Sequence, residues 1–289
     1  MAVIDNRTRY ACTCLGVADQ DGEPALCVVV EATCTCDGRL VEVQPEIVLD
    51  GVWEGDPATT APLLPPVVTQ PKRGTDVLLT AHGTAPLVEL RCGSLHQRAR
   101  LHGPRTWVRR WYGVRPGPEA AFVPVSLRWE LASGPQPTNP LGCGLAGGAF
   151  VEGTAMPAIE HPDQPLRRWG QPAPAVGFAA TTPAWAHRRA FGTWEPGQGN
   201  AAAPELIAAD GLRGDEAVQV RGIAGGDLDL RLPGLAPPRL TLARRCGDLR
   251  PEAQLDTVLI DGDARHMRLT WRAWCRVGEW SSVETVLVQ

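Results

Sequence analysis

The sequence predicts an all-β fold: antiparallel β-sandwich-like lobes, a long loop-rich Pro/Gly middle segment and little helix. Three observations carry that expectation. Short runs rich in Val, Leu, Thr and Cys alternate between apolar and polar with period two, which places successive side chains on opposite faces of a strand. Glycine and proline are frequent, 31 and 27 of 289 residues, and fall between those runs as punctuation rather than as low-complexity tracts. Helical periodicity is scarce, and the one plausible helical site, Pro204 to Ala209, is short.

Strand signals begin at Tyr10 to Val17 and continue through Leu26 to Cys36. At Asp37-Gly38 the chain turns into Arg39 to Val43, and Asp-Gly between β-branched runs is a strong short hairpin signal. Further strands are expected at Thr75 to His82, Leu87 to Cys92, Gln97 to His102, Thr106 to Arg110 and Val123 to Leu131. From Pro135 to Asp210 the pattern dissolves into Gly, Pro and Ala with scattered Trp. Strands resume at Ala217 to Arg221, Asp227 to Leu232, Leu240 to Arg244, Thr257 to Ile260 and His266 to Arg276. The expected organisation is one unit over residues 1–289, built as a β lobe (1–134), a loop-rich segment (135–210) and a second β lobe (211–289). The lobes echo each other loosely. Val77-Leu-Leu-Thr, Val88-Glu-Leu and Leu127-Arg-Trp129 in the first match Val218-Gln-Val-Arg, Leu228-Asp-Leu and Leu269-Thr-Trp271 in the second. A duplication and the generic likeness of alternating strands both account for that order.

Composition narrows the function classes. A formal charge of −4 and a pI near 5.9 argue against sequence-independent nucleic-acid binding, which needs a net basic face. Arginine supplies nearly all the positive charge, Lys72 being the only lysine. No apolar run reaches the length of a membrane-spanning helix, and the first residues lack the basic and apolar regions of a signal peptide, so the expected location is cytoplasmic with no membrane partner. Nine cysteines in such a chain are expected to be reduced thiols.

No catalytic constellation stands out. Cys12-x-Cys14 and Cys34-x-Cys36 place pairs of thiols on one strand face each, compatible with either a structural zinc or buried apolar thiols, but the usual Cys-x-x-Cys knuckle is absent. The six histidines include no His-Glu-x-x-His, and none of the five serines lies in Gly-x-Ser-x-Gly. Gly142-Cys-Gly-Leu-Ala-Gly-Gly148 is glycine-rich but opens no helical pattern, and Asp261-Gly-Asp263 sits between strand runs as a hairpin turn would. Neither a metal nor any other cofactor is expected, and no catalytic residue is assigned.

Surface recognition remains. Ten tryptophans stand against two tyrosines and four phenylalanines, and Trp with Arg is the pairing enriched at the centres of protein interfaces. Trp129, Trp271 and Trp274 lie in strand patterns and read as core. The most irregular stretch, Ala179 to Glu216, holds Trp185-Ala-His-Arg-Arg-Ala-Phe-Gly-Thr-Trp194 and Leu212-Arg-Gly-Asp-Glu216. Loops on a rigid scaffold are where binding groups concentrate. The expected partner-binding residues are therefore Trp185, His187, Arg188, Arg189, Thr193, Trp194, Arg213, Asp215 and Glu216, with loop anchoring or turn capping as the alternative role.

A series of short motifs runs in a specific order: Pro71-Lys-Arg-Gly-Thr-Asp-Val77, Asn139-Pro-Leu-Gly-Cys-Gly144, Met156-Pro-Ala-Ile-Glu-His-Pro-Asp163, Gly177-Phe178, and Trp185, Arg188 and Gly192-Thr-Trp194. Asn200-Ala-Ala-Ala-Pro204, Leu212-Arg-Gly-Asp-Glu216, Leu232-Pro-Gly234 and Leu255-Asp-Thr-Val-Leu-Ile-Asp261 follow. This order resembles the bacterial adaptor-chaperone family encoded beside type VI secretion genes, over most of the chain from Val28 to Cys275. The resemblance implies a cytoplasmic, non-enzymatic protein that binds a secreted effector, or a PAAR-type tip fused to one, and assists its loading on the VgrG spike. Two departures, the short Glu-Pro-Gly-Gln-Gly between Trp194 and Asn200 and the Glu-Leu-Ile-Ala-Ala after Pro204, imply a divergent branch with its own partner specificity. The alternatives are a metal-dependent hydrolase using His82, His96 or the paired cysteines, and a structural component of the secretion spike.

Overall fold

The computed structural model describes residues 2–67, 69–145, 149–188 and 196–289. The protein is all-β, as the alternating patterns predict. Three larger sheets dominate the described residues. A six-stranded sheet runs in the order Ile207–Ala208, Thr75–Thr80, Gln254–Asp261, His266–Arg276, Pro24–Thr35 and Ala11–Ala18. A five-stranded antiparallel sheet runs Ile159–Glu160, Leu95–Leu101, Leu87–Cys92, Ala217–Arg221 and Leu228–Arg231. Val3–Asn6, Val283–Val288 and Leu240–Arg244 form the third. Their inward side chains share one core, in which Val28 and Val30 of the first sheet meet Val88, Leu90, Val218 and Val220 of the second and Leu242 and Val286 of the third.

The sheets do not divide the chain as the sequence suggests. Strands from 1–134 and from 211–289 are partners in both larger sheets, so the two halves interleave instead of forming separate lobes. The joint is the parallel pairing of Thr75–Thr80 with Gln254–Asp261, in register Val77 with Val258, Leu78 with Leu259 and Leu79 with Ile260. Parallel partners need a long crossover, here the intervening chain, and tend to be apolar on both faces. Val77-Leu-Leu and Val258-Leu-Ile are indeed continuous apolar runs rather than alternating ones. The loose internal echo is not a structural repeat either: Thr75–Thr80 lies in the six-stranded sheet, whereas its supposed counterpart Ala217–Arg221 lies in the five-stranded one.

Local departures have local causes. Val123 to Leu131 forms only a two-residue strand, Val125–Ser126, before a 3-10 turn at Trp129–Leu131. Leaving the strand lets the Trp129 indole Nε1 donate to the Ala179 carbonyl at 2.7 Å and lets its ring lie over Gly177, where an added Cβ would stand 2.7 Å from the ring. Asn139 Nδ2 donates to the Trp129 carbonyl at 2.8 Å, tying the Asn139-Pro-Leu-Gly motif to the same tryptophan. After Asp37-Gly38 the return arm makes one isolated bridge, Leu40 to Cys34, because Gln44 takes over the pairing: its amide donates to, and its carbonyl accepts from, the Thr33 backbone. Pro204–Leu206 is a single 3-10 turn that passes straight into Ile207–Ala208. No helix of the described residues is long and apolar enough to cross a membrane.

The cysteine pairs do not converge. Ala11–Ala18 pairs with Pro24–Thr35, but the register sets Cys12 against Val30 and Cys14 against Val28, whereas Cys34 lies against Met267 on the other neighbour. Among the described residues no group of three or more His, Cys, Asp or Glu is placed to hold a metal ion. Burial pushes the Cys14, Cys27 and Cys34 thiols up to about 11 and Cys92 to about 12. A thiol whose pKa is raised in the folded state holds its proton there after the unfolded chain has lost it, so its contribution is intact below the ordinary value near 9 and fades as pH rises toward 11 to 12. The denaturation midpoint is therefore expected to fall between pH 9 and pH 11, less steeply in a Cys27→Ala/Cys92→Ala variant. Equal slopes for both proteins would remove the thiols from the account.

Candidate functional site

Of the residues expected to bind a partner, Arg189, Thr193 and Trp194 lie outside the described residues. The structure places the other members of that cluster inside the protein. Trp185 is 2% exposed and packs edge-on against Trp129 with ring centroids 4.4 Å apart. Arg188 is 8% exposed, and its Nη1 donates to the Thr181 carbonyl at 2.6 Å. Burial lowers its pKa, an effect partly offset by the Asp76 carboxylate. His187 donates from Nε2 to the Ala202 carbonyl at 3.0 Å, and burial foremost, with the neighbouring Arg188 charge, lowers its pKa, favouring the neutral imidazole. Trp185, His187 and Arg188 are thus anchors of the irregular segment. An interface needs accessible side chains, and Trp185 and Arg188 have next to no exposed surface.

Arg188 and His187 feel the charge of Asp76, which belongs to a buried ionic joint to which four of the motifs contribute. Lys72 Nζ lies 2.8 Å from Asp76 Oδ2, with the two side chains 4% and 0% exposed. The ammonium also donates to Thr257 Oγ1 at 2.5 Å and stands 3.9 Å from Asp256, which Arg272 meets at 2.7 Å. Asn200 Nδ2 and the Ala201 N–H donate to the two oxygens of Asp76 at 2.8 and 2.7 Å. Thr75 Oγ1 donates to the Leu255 carbonyl at 2.6 Å and accepts the Leu212 N–H at 3.0 Å. Gly74, at φ +68°, lets the chain pass so close that a Cβ would stand 2.0 Å from the Ala208 carbonyl oxygen. Positions 72–76, 200–201, 212 and 255–257 therefore meet in one place. Buried charge survives only when paired and fully hydrogen-bonded, and this joint meets that condition at Asp76.

The Leu212-Arg-Gly-Asp-Glu216 corner is a self-capped turn. Glu216 accepts the Arg213 N–H at 2.7 Å and the Gly214 N–H at 3.0 Å, Gly214 takes φ +93°, and Arg213 and Asp215 are exposed. Glu216→Ala is expected to lower stability by about 1 kcal/mol by removing the acceptor of both N–H groups, of which that of Gly214 is part-buried. Arg213→Ala and Asp215→Ala are expected to stay within about 0.5 kcal/mol. Urea denaturation of the three variants separates these roles, and equal losses would contradict the cap.

The exposed aromatic surface lies elsewhere, on a segment whose strand was anticipated but whose tip was not singled out. Trp107–Arg110 and Gly113–Pro116 form a two-stranded hairpin, closed by the pair Arg110 with Gly113. Its turn residues are Trp111, 95% exposed, and Tyr112, 52% exposed, with rings edge to face at 5.1 Å. The Arg115 guanidinium lies 5.3 Å from the Tyr112 ring centroid. At the base, Trp107 is fully buried in a second small core with Met156, Leu166 and Ala173, and its Nε1 donates to the Gly144 carbonyl at 3.0 Å. Trp169 packs on Trp107 at 5.6 Å, and its backbone N–H donates to the Val114 carbonyl at 3.3 Å. Beside this core is an apolar groove of about 480 Å³, whose lining includes Pro118, Val123, Pro124, Leu131 and Met156. The sequence signal is legible in retrospect: Arg110-Trp-Tyr-Gly113 puts two large aromatics where turn chemistry ordinarily selects small polar residues.

The residues of the hydrolase alternative do not assemble. His82 Nδ1 lies 2.7 Å from Asp263, and the His82 backbone N–H donates to the same carboxylate at 3.1 Å, which pins the turn after Gln254–Asp261. His96 lies 3.7 Å from Glu89 on the five-stranded sheet, and Cys12 and Cys34 are on different strand pairs.

Fold and surface together define an all-β scaffold with a polar, interlocked joint inside and an aromatic, arginine-flanked hairpin outside. The chain belongs to the family described as an uncharacterized protein conserved in bacteria, DUF2169, whose model matches residues 21–272. No curated protein and no solved structure matches the chain.

Proposed function

We propose that this protein is a cytoplasmic, non-enzymatic adaptor or chaperone that binds a type VI secretion effector, or a PAAR-type tip fused to one, and assists its loading on the VgrG spike. The motif order supports the family side of this reading. The observation that carries the binding side is the hairpin 107–116, where Trp111 stands 95% exposed on a base fixed by the buried Trp107. A bare tryptophan on a rigid β element gives large contact area with little ordering cost, and Trp, Tyr and Arg are the residues that dominate interface energetics. Reversible capture of a client awaiting export fits such a small aromatic patch with a polar rim better than an extended greasy face.

Co-expression of the tagged protein with the effector, PAAR and VgrG products encoded beside it tests the reading. A stoichiometric complex with one of them, absent from the secreted fraction as far as this chain is concerned, is the expected result. Failure to bind any of them, or export of the chain with the spike, would overturn it.

A further inference from the structure

We infer that the hairpin surface docks an acidic segment of its partner, a stretch in which Asp or Glu side chains flank an apolar or aromatic residue. The inference rests on the hairpin being the partner-binding surface and adds the chemistry of what it holds. The protein as a whole carries −4, yet the hairpin and the segment bonded to it hold five arginines. Arg109 and Arg110 are exposed on opposite faces of the first strand, Arg109 lying over the Phe150 ring at 5.1 Å, and Arg115 is half-buried on the second. Arg167 and Arg168, both exposed, lead into Trp169, which is bonded to the hairpin backbone. Among the described residues none of these five guanidinium groups meets a carboxylate within ion-pair distance. Ten other arginines of the described residues do, for example Arg105 with Glu160, Arg221 with Asp229 and Arg276 with Asp21. Glu152 does touch the hairpin, but both of its oxygens accept the Arg109 backbone N–H at 3.2 Å rather than a guanidinium.

Arginines without a carboxylate partner along a hairpin that ends in an exposed tryptophan raise the local potential and are relieved by an incoming anion. Guanidinium forks match carboxylates in bidentate geometry, and the exposed Trp111 offers purchase to a neighbouring apolar side chain. A single-stranded nucleic acid is the other polyanion that arginine and aromatics attract, but it requires open ring faces for base stacking. One face of Tyr112 is already covered by Arg115, and Trp111 and Tyr112 meet edge to face, which leaves Trp111 as the open platform. The net negative charge also disfavours a phosphate chain. The acidic polypeptide is the better fit.

Fluorescence anisotropy with labelled peptides of equal length tests this, using alternating Glu-Leu, Lys-Leu and Ser-Leu sequences, together with an oligothymidylate. The Glu-Leu peptide is expected to bind the full-length protein, to weaken as salt rises, and to bind about tenfold more weakly to Arg109→Glu/Arg110→Glu and to Arg167→Glu/Arg168→Glu. Because all four arginines are exposed, unchanged melting temperatures are expected; Arg110→Gln/Arg168→Gln, which removes charge without reversing it, should lie between. Equal binding of the Ser-Leu or Lys-Leu peptide, or tighter binding of the oligothymidylate, would overturn the inference. Its failure is separable from that of the adaptor reading. If the neighbouring gene products do not bind the wild-type protein the adaptor reading falls; if a client binds but is retained equally by the arginine variants, only the acidic-segment inference falls.

Discussion

Asp76→Ala will destabilise the fold by about 3 to 5 kcal/mol, the loss expected when one partner of a buried ion pair is removed and the other charge stays behind. The stranded group is the Lys72 ammonium, whose side chain is 4% exposed. Asp256, 3.9 Å away, is already engaged by Arg272 and compensates only weakly. The substitution also orphans the Asn200 amide and the Ala201 N–H, and removes the carboxylate that offsets the burial of Arg188. All three connections lead into the loop-rich middle segment, so its order should loosen before the sheets do. Urea denaturation measures the effect. The double variant Lys72→Met/Asp76→Leu, which removes both charges, should recover most of the loss. Asp37→Ala, which breaks the exposed pair with Arg39, should change nothing measurable. A loss below about 1 kcal/mol for Asp76→Ala would contradict the joint as a folding element.

Trp111→Ala will weaken partner binding by about 2 kcal/mol or more, roughly 30-fold, while leaving stability unchanged. The two halves of that expectation have different origins. Binding falls because a central tryptophan supplies most of a small interface's contact energy; stability holds because a side chain 95% exposed contributes little to the core. Trp185→Ala shows the reverse pattern: at 2% exposure it leaves a cavity beside Trp129, so the melting temperature drops sharply. Titration calorimetry with the co-purified client, alongside thermal melts of both variants, checks the contrast. If Trp111→Ala binds like wild type, the hairpin is not the contact surface.

The fold class was legible because it depends on local alternation. Leu87–Cys92, Ala217–Arg221, Leu240–Arg244 and His266–Arg276 begin and end where turn residues and the period-two pattern place them. Pairing was not legible, since the parallel join of Thr75–Thr80 to Gln254–Asp261 brings together segments far apart in sequence with no turn between them to announce it. The terminal strands Val3–Asn6 and Val283–Val288 escaped for the same reason, since each is short and they pair with one another in parallel from opposite ends of the sequence. Trp185 and Arg188 were misleading because an irregular, aromatic and arginine-rich stretch has the composition of a binding loop whether its side chains face outward or, as Trp185, His187 and Arg188 do, hold to Trp129, Ala202 and Thr181. The lone lysine was the clearest missed clue. In a chain that otherwise uses arginine throughout, Lys72 occupies a pocket formed by Asp76, Thr257 and Asp256, where a compact ammonium serves and a planar fork would not fit the same three oxygens.

Hydrogen–deuterium exchange of the protein alone and bound to its co-purified client locates the contact surface without altering a residue. Protection concentrated in 107–116 and in the adjoining Arg167 and Arg168 segment is the predicted result. Unchanged exchange there, with protection appearing instead around Arg213 and Asp215 or along the outer edge of the six-stranded sheet, would contradict it.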